Sequence, residues 1–257
     1  MQTAVQQPPQ HFSVDELTRK FLQLGKTSSE TAQLPTVGFH DAIMEIIPIL
    51  AGLGTKFRFV YKEVLSRLVY LMRAMEVAGP RGSSLQGIIA YEKENSSWQA
   101  DHSGTMNTLH LTTTLFVLEA LMKQLHDNPQ IKLSNASWNA YTSTIRYRHP
   151  RLVQGMVWIG TKFLPSRQQF LKQINLTHEE SFEAMAKLQQ ALHPVIEACN
   201  QMMKENKFTS AELDDILSGP PPPDVSHVVE QSQSPTGTKS QSQKIMNAES
   251  QNLDDTQ

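Results

Sequence analysis

The chain has 257 residues, a formal net charge of −2 and 39% hydrophobic residues, which is enough apolar content for one sizeable domain with tails. The balanced charge argues against a nucleic-acid-binding protein, because such domains usually carry a basic excess. A single cysteine, Cys199, excludes an internal disulfide framework and fits a reducing compartment. No apolar run approaches the roughly 20 residues of a membrane span, and the first residues lack the pattern of a signal peptide, so we expect a cytoplasmic protein.

Every element predicted along the chain is a helix. Apolar residues recur at spacings of three and four, and no stretch alternates for long enough to predict a strand. Capping boxes mark two helix starts, and a proline at the first helical position, Pro150, marks another. The first helix begins at the capping box of Ser13 and Glu16. The next helices cover 41–53, 57–77, 84–94, 106–125, 136–148, 150–163, 166–174 and 177–204, and a last short turn covers 209–217. The helix at 177–204 begins at the capping box of Thr177 and Glu180, and Pro194 predicts a kink or break in it.

The two ends of the chain differ from this helical part. Residues 1–11 and 218–257 are polar, and the second segment is rich in Pro, Ser and Gln, so we expect two disordered tails. The predicted architecture between them, over 12–217, is one all-α domain of about eight helices. The helices at 57–77 and 106–125 are apolar on more than one face. Such helices suit the middle of a layered fold and equally the wall of an apolar ligand chamber.

Motifs of catalysis are missing from the sequence. It contains no GxSxG elbow, P-loop, GxGxxG or HExxH, and its nine histidines are scattered. Cys199 lies in an apolar helix and is interpreted as an inert, buried thiol, while Glu92 and Glu94 are interpreted as a solvated helix end. We therefore expect neither an enzyme nor a bound metal or cofactor.

Polar side chains inside apolar helices are the sequence's unusual feature. Glu63 and Arg67 lie four residues apart and share one helix face, as in an ordinary surface ion pair. His110 interrupts the most apolar helix, where a histidine is usually a satisfied core residue. His149 precedes Pro150 at a helix junction, which suits either a fixed polar side chain or a solvated corner.

Five segments, taken in order, resemble the glycolipid transfer protein superfamily, and more closely its ceramide-1-phosphate transfer protein branch. The first segment, 53–68 (LGTKFRFVYKEVLSRL), is similar to the branch's LGxxFxFxxxDVxxK stretch. The last segment, 164–171 (LPSRQQFL), is similar to LPTRxxF. Between them lie 84–92 (SLQGIIAYE), 108–111 (TLHL) in the central helix, and 149–153 (HPRLV). The resemblance covers about residues 38–205. It implies a two-layer helical sandwich that holds a sphingolipid's hydrocarbon chains between its layers and carries the lipid between membranes without a cofactor.

The resemblance also implies a recognition centre for the lipid's amide and head group. Glu63, Arg67 and His149 match the family's acidic residue, the residue one turn later and the histidine that bonds the ceramide carbonyl. His110 stands where glycolipid binders have a sugar-stacking Trp. The absence of that platform favours a phosphate-bearing or small-headed sphingolipid over a glycolipid. Secondary contacts are expected from Met106, Tyr70, Arg146 and Arg148. Phosphate binders place arginines on the central helix, where this chain has His110 at the matching position, Met106 one turn earlier and Thr113 where a further basic residue is common. Arg151 replaces the family's usual Trp.

The expected partners follow from the same resemblance. They are a sphingolipid and, transiently, the surface of intracellular membranes, touched through Trp158, Phe163 and the basic Lys162, Arg167 and Lys172, although core packing is the favoured interpretation of Trp158. The alternative is a lipid sensor or helical adaptor that has lost transfer activity and uses its Pro-rich tail to dock a protein partner.

Overall fold

The computed structural model describes residues 12–206, so the predicted tails at 1–11 and 218–257 and the predicted turn at 209–217 lie outside the described residues. Within that range the secondary structure is helical, as predicted, and contains no β-strand. Ten α-helices follow one another: α1 (Val14–Thr31), α2 (Thr36–Met44), α3 (Ile47–Gly52), α4 (Arg58–Ala78), α5 (Leu85–Glu94), α6 (Gly104–Asp127), α7 (Leu133–Thr144), α8 (Arg151–Thr161), α9 (Arg167–Gln173) and α10 (His178–Glu205).

The helices form the predicted two-layer all-α sandwich, with α6 at its centre. Helix α6 packs against α4, α5, α7 and α10, and α10 packs in turn against α1. Its buried residues occur on several faces, among them Leu111, Leu115, Leu121 and Leu125. A helix apolar all round must be enclosed by others, which explains why the most apolar segment of the sequence lies in the middle of the molecule.

The helix starts follow local sequence signals. Thr177 and Glu180 form the reciprocal capping box that the sequence predicts for α10. The box at α1 is only half formed: the Ser13 hydroxyl accepts from the backbone N–H of Glu16, but the Glu16 carboxylate pairs with Arg19 instead. Ser166 with Gln169 adds a capping box at α9. Each cap satisfies amide donors that the first helical turn leaves without intrahelical partners.

Three prolines bear on the predicted helix boundaries. The single helix predicted over 41–53 is wrong, because Pro48 has no N–H to donate and the chain instead forms α2 and α3. Conversely, Pro194 does not end α10, which continues for eleven residues beyond it, so the predicted break is wrong. Pro150 occupies the N-cap of α8 rather than its first helical position.

Glu92 corrects the interpretation of a solvated helix end. Its side chain is buried, and its carboxylate accepts hydrogen bonds from the backbone N–H groups of Gly104 and Thr105 (2.8 Å to Thr105 N) and from the Thr105 hydroxyl at 2.6 Å. Glu92 therefore caps the first turn of α6 from α5. Its neighbour Glu94 does lie at the surface, paired with Arg81.

Cys199 is fully buried in α10, as predicted. Burial raises the pKa of its thiol to about 12, against a smaller opposing effect of a hydrogen bond with Thr112. The thiolate is the reactive form of cysteine, so this side chain is inert at physiological pH.

Candidate functional site: an apolar chamber beside a polar cleft

An apolar chamber of about 250 Å³ lies between α3, α4, α6, α7 and α8. Its walls are mostly aliphatic and aromatic side chains: Ile49, Leu50, Leu53, Phe57, Phe59, Val60, Val117, Leu118, Leu121, Ala140, Ile145 and Val157. The polar groups in its lining are Thr113, Thr114, Ser137, Tyr141, His149 and Thr161. Most of the lining would therefore suit a hydrocarbon chain.

The threonines of α6 make this wall less polar than the sequence suggests. Thr113 donates to the carbonyl of Leu109 at 3.0 Å, and Thr114 donates to the carbonyl of His110 at 3.1 Å. Each hydroxyl therefore has its hydrogen-bond partner within its own helix. The methyl group of each threonine is then the part of the side chain that contributes apolar surface to the wall.

A polar cluster lies one helical turn from the chamber wall, on α4 and α6. The Arg67 Nε donates to Glu63 Oε1 at 2.6 Å, and Arg67 Nη1 donates to Asn107 Oδ1 at 3.4 Å. The Glu63 side chain is 58% exposed and that of Arg67 is 23% exposed. Since Glu63 is one turn after Val60 in the chamber wall, this partly exposed polar cluster adjoins an apolar space, and we refer to the cluster as the polar cleft.

His110 belongs to the same cleft. The pKa of its imidazole is lowered to about 4, mainly by burial and also by the positive charge of Arg67, while the carboxylates of Glu63 and Asp101 act in the opposite direction. The ring is therefore neutral at physiological pH, able to donate one hydrogen bond and accept another.

His149 lies in the chamber wall, next to Tyr141. The Tyr141 hydroxyl is 2.9 Å from His149 Nδ1, and the two ring centroids are 5.5 Å apart. Burial lowers the pKa of His149 and raises that of Tyr141 to about 12. The Gln154 side chain donates to the backbone carbonyl of His149 at 2.7 Å, which ties the junction before α8 to the helix itself.

The predicted secondary residues separate into different surroundings. Tyr70 stacks on His102, with ring centroids 4.2 Å apart. Met106 is buried, with 3% exposure, and supplies no polar contact. Arg146 donates to Gln154 at 3.2 Å and lies over the ring of Trp138.

Arg148 lines a neighbouring groove of about 280 Å³ formed by α6, the 146–148 turn and α10. Tyr147 and Lys204 also line this groove, and Thr113 and Ile145 line both the groove and the chamber. Its Nε donates to the hydroxyl of Tyr147 at 2.8 Å. The contacts described for Arg146 and Arg148 are thus with residues outside the Glu63–Arg67 cluster.

Two residues that contact the candidate site were missed by sequence reasoning. Asn107 Oδ1 accepts from Nη1 of Arg67, and the Tyr141 hydroxyl contacts Nδ1 of His149. Asn107 lies one turn before His110 in an apolar helix, a position where a buried amide requires partners, and this signal was available. Tyr141 precedes His149 by eight residues across a 3-10 turn, Arg146–Arg148, and no sequence spacing predicts that contact.

Helix α8 exposes a row of apolar side chains. Leu152, Met156 and Ile159 lie on the helix and Phe163 lies in the turn that follows it. All four are exposed, at spacings of four, three and four along the chain. Trp158 is 48% exposed, with Lys162 Nζ 4.7 Å from its ring centroid, so the predicted core packing of Trp158 is wrong.

Arg167, predicted to belong to a basic surface cluster, also has a structural role. Its Nη2 donates to the carbonyl of Leu125 at 2.8 Å and its Nη1 to that of Asn128 at 3.1 Å. These contacts satisfy carbonyls at the carboxyl end of α6.

Among residues 12–206, no cluster of His, Cys, Asp and Glu could hold a metal ion, and none of the helices in that range is long and apolar enough to cross a membrane.

Fold and site define a class of helical protein in which an apolar chamber adjoins a polar cleft. The model of the Glycolipid transfer protein (GLTP) family matches residues 34–176, more than half of the 257 residues, and the chain belongs to this family of lipid transfer proteins. Among curated relatives, the mouse ceramide-1-phosphate transfer protein is 29% identical over 164 residues, covering 59% of this chain and 74% of the relative. An ACD11 homolog protein of Arabidopsis thaliana is 23% identical over 170 residues, covering 66% and 72%.

Solved structures show the same fold. A mutant of Arabidopsis ACD11 (accelerated-cell-death 11) complexed with C12 ceramide-1-phosphate superposes with a TM-score of 0.73 at 18% identity, over 80% of this chain and 100% of that one. Human ceramide-1-phosphate transfer protein in complex with 12:0 ceramide-1-phosphate gives a TM-score of 0.68 at 22% identity, over 77% and 98%. At these identities the likeness concerns the fold.

Proposed function

We propose that the protein transfers a sphingolipid between membranes and that its ligand resembles ceramide-1-phosphate. The single observation that carries the proposal is the Arg67 guanidinium, which pairs with Glu63 in the polar cleft beside the apolar chamber. Its Nε and Nη1 donate to Glu63 and Asn107, while Nη2 makes no hydrogen bond within residues 12–206. A guanidinium with free donors, held in place by its other nitrogens, suits a phosphate.

The amide of a sphingolipid would complete the site. Glu63 Oε1 accepts from Arg67, and Oε2, which accepts no hydrogen bond within the described residues, can accept from the lipid's amide N–H. The imidazole of His149 in the chamber wall would donate to the amide carbonyl. Leaving either amide group unpaired in an apolar site costs about 1–3 kcal/mol, so both residues favour a ligand that carries an amide where its chains meet.

Proteins of the same fold and the composition of α6 support a ligand with a phosphate head group rather than a sugar. Complexes with ceramide-1-phosphate exist for two proteins of the same fold. Helix α6 contains no tryptophan that could stack on a sugar. The same helix has no arginine, so the phosphate would depend on Arg67 and on neutral donors such as His110. We propose no catalytic chemistry for this cleft.

Membrane contact belongs to the same proposal. A carrier must take its lipid from a bilayer, and the exposed apolar row of α8 begins next to His149 and the chamber. Lys56 and Lys162 lie near the rings of Phe163 and Trp158, which places positive charge beside exposed aromatic surface. This combination suits transient docking on anionic lipid headgroups, in a cytoplasmic protein that visits intracellular membranes.

Transfer of fluorescent ceramide-1-phosphate between vesicles tests the assignment. We expect Arg67→Leu and His149→Leu to lower the transfer rate about 10- to 100-fold, because each removes a charged or buried hydrogen-bonding partner. Lys187→Leu is the matched control, since Lys187 forms an equivalent i,i+4 pair with Glu183 on the exposed face of α10. Unchanged transfer in both site variants would contradict the assignment of Arg67 and His149.

Mass spectrometry of lipid that co-purifies with the protein distinguishes the alternative. The buried, apolar Met106, on the helix where phosphate binders of the family place arginines, is the observation that favours a lipid sensor or adaptor without transfer activity. A sensor would retain bound sphingolipid but not exchange it between vesicles, and an adaptor would carry none. A co-purified phosphosphingolipid together with vesicle transfer supports the transfer function.

A further inference from the structure

Tyr141 is held in a fixed orientation beside His149. Its side chain is 4% exposed, and its ring packs against Trp138 with centroids 5.6 Å apart and an interplanar angle of 37°. Arg146 lies 5.5 Å over the Trp138 ring and also donates to Gln154, whose amide in turn donates to the His149 carbonyl. Both partners of the Tyr141–His149 hydrogen bond are thus anchored by neighbours from α7, α8 and the turn between them.

The direction of this hydrogen bond follows from counting protons. Burial keeps the phenol protonated and the imidazole neutral at physiological pH. The Tyr141 hydroxyl has one proton, and within residues 12–206 its hydrogen-bond partner is His149 Nδ1. If Nδ1 carried the imidazole proton, the buried phenol O–H would be left without an acceptor, at a cost of about 1–3 kcal/mol. The phenol therefore donates to Nδ1, and the imidazole proton lies on Nε2.

We propose that Tyr141 is a positioning residue, which fixes His149 as its Nε2–H tautomer and points that N–H toward the chamber as a donor. The choice of tautomer decides what His149 can bind, because the opposite tautomer would present an acceptor and repel a carbonyl oxygen. The inference rests on the proposed function for the identity of the ligand group, the amide carbonyl of a sphingolipid. A partner on the second imidazole nitrogen fixes the ring in the same way at other ligand-binding histidines.

The first measurement is ¹⁵N NMR of the imidazole nitrogens in the full-length chain. We expect His149 to show a protonated Nε2 and an unprotonated, hydrogen-bonded Nδ1. Tyr141→Phe keeps the ring but removes the hydroxyl, so His149 should become a mixture of tautomers. Tyr147→Phe is the matched control, because its hydroxyl is also bonded, to Arg148, but its ring is 68% exposed and lies outside the chamber wall.

The second measurement is the vesicle transfer of ceramide-1-phosphate by the same proteins. Tyr141→Phe should lower transfer about tenfold, as loss of such a supporting partner does at other sites, and Tyr147→Phe should leave it unchanged. A proton on Nδ1 in the wild-type protein, or the same tautomer in Tyr141→Phe, would overturn the proposal. A shifted tautomer with unchanged transfer would overturn the role in ligand binding. A wild-type protein without transfer would overturn the proposed function, while the NMR spectrum still decides the tautomer.

Discussion

At the scale of single residues, Glu92 shows how one buried carboxylate can join two helices. It belongs to α5, yet its hydrogen bonds go to the first turn of α6. The amino end of a helix carries unpaired N–H groups and a partial positive charge, both of which favour a carboxylate there. Gly104 lets the helices approach closely, since a Cβ at that position would lie 2.4 Å from Ile88 Cγ2.

Glu92→Ala should destabilise the protein by about 2–4 kcal/mol, because it leaves three buried donors without their acceptor. Urea denaturation followed by circular dichroism measures this change. Glu94→Ala is the control, since the Glu94 carboxylate pairs with Arg81 in solvent, and we expect its denaturation midpoint to stay near that of the wild type. Equal midpoints for both variants would refute the role of Glu92.

The sequence could not distinguish these two glutamates. Both follow the apolar stripe of α5 and have the same chemistry, and only the path of the loop at 95–103 brings α6 to Glu92. Glu63 and Arg67 were easier to predict, because their spacing places them on one face of one helix. Contacts within an element are readable from sequence, whereas contacts made by loop closure are not.

At the scale of elements, α8 is the least buried helix of the chamber wall. Thr161 is its one buried residue, whereas α6 is buried along most of its length. The apolar periodicity of the α8 sequence predicted this helix correctly, but it could not show which face of the helix other parts of the protein would cover. The core interpretation of Trp158 failed for this reason, since an apolar stripe looks the same whether it meets protein or another apolar surface.

The double change Ile159→Ser and Phe163→Ser should weaken binding to anionic vesicles about tenfold or more, because each side chain contributes about 1–2 kcal/mol on burial. Vesicle co-sedimentation measures the binding. Leu22→Ser is the matched control, as Leu22 is 53% exposed on α1, outside the α8 row. A similar loss of vesicle binding in Leu22→Ser would show that binding depends on the overall hydrophobicity of the surface and not on a docking face at α8.

At the scale of the whole molecule, acid should unfold the protein partly through His110. Its pKa is about 4 in the folded protein and about 6.5 in an unfolded chain, so the unfolded state binds more protons between these values. Stability is therefore complete above pH 6.5 and falls as the pH drops toward 4, by roughly 2–3 kcal/mol from this residue. The lowered pKa of His149 acts in the same direction.

Replacing His110 with Gln should flatten the dependence of unfolding free energy on pH between 6.5 and 4. Denaturant titrations at several pH values measure this slope. His178→Gln serves as the control because His178 is exposed at the start of α10. A slope that is unchanged in His110→Gln would contradict the burial of a neutral imidazole in the cleft.

The overall architecture was easier to predict from the sequence than the burial of individual side chains such as His110. Helical periodicity and the ordered segments that resemble the family were enough to predict a two-layer helical fold, since both depend on patterns spread over many residues. Pro48 was a local signal for the split between α2 and α3. The continuity of α10 through Pro194, in contrast, involves packing against α1, where Pro194 lies beside Gly25. Such packing is decided by distant parts of the chain, which periodicity does not report.

The burial of Cys199 has a practical consequence for following lipid exchange. It is the one thiol of the 257 residues, and burial together with its raised pKa keeps it unreactive. Maleimide dyes react with accessible thiolates, so a cysteine introduced at the surface, as in Tyr147→Cys, would take the label alone. The native chain is thus already a suitable background for single-site fluorescent probes of lipid loading, with no cysteine to remove.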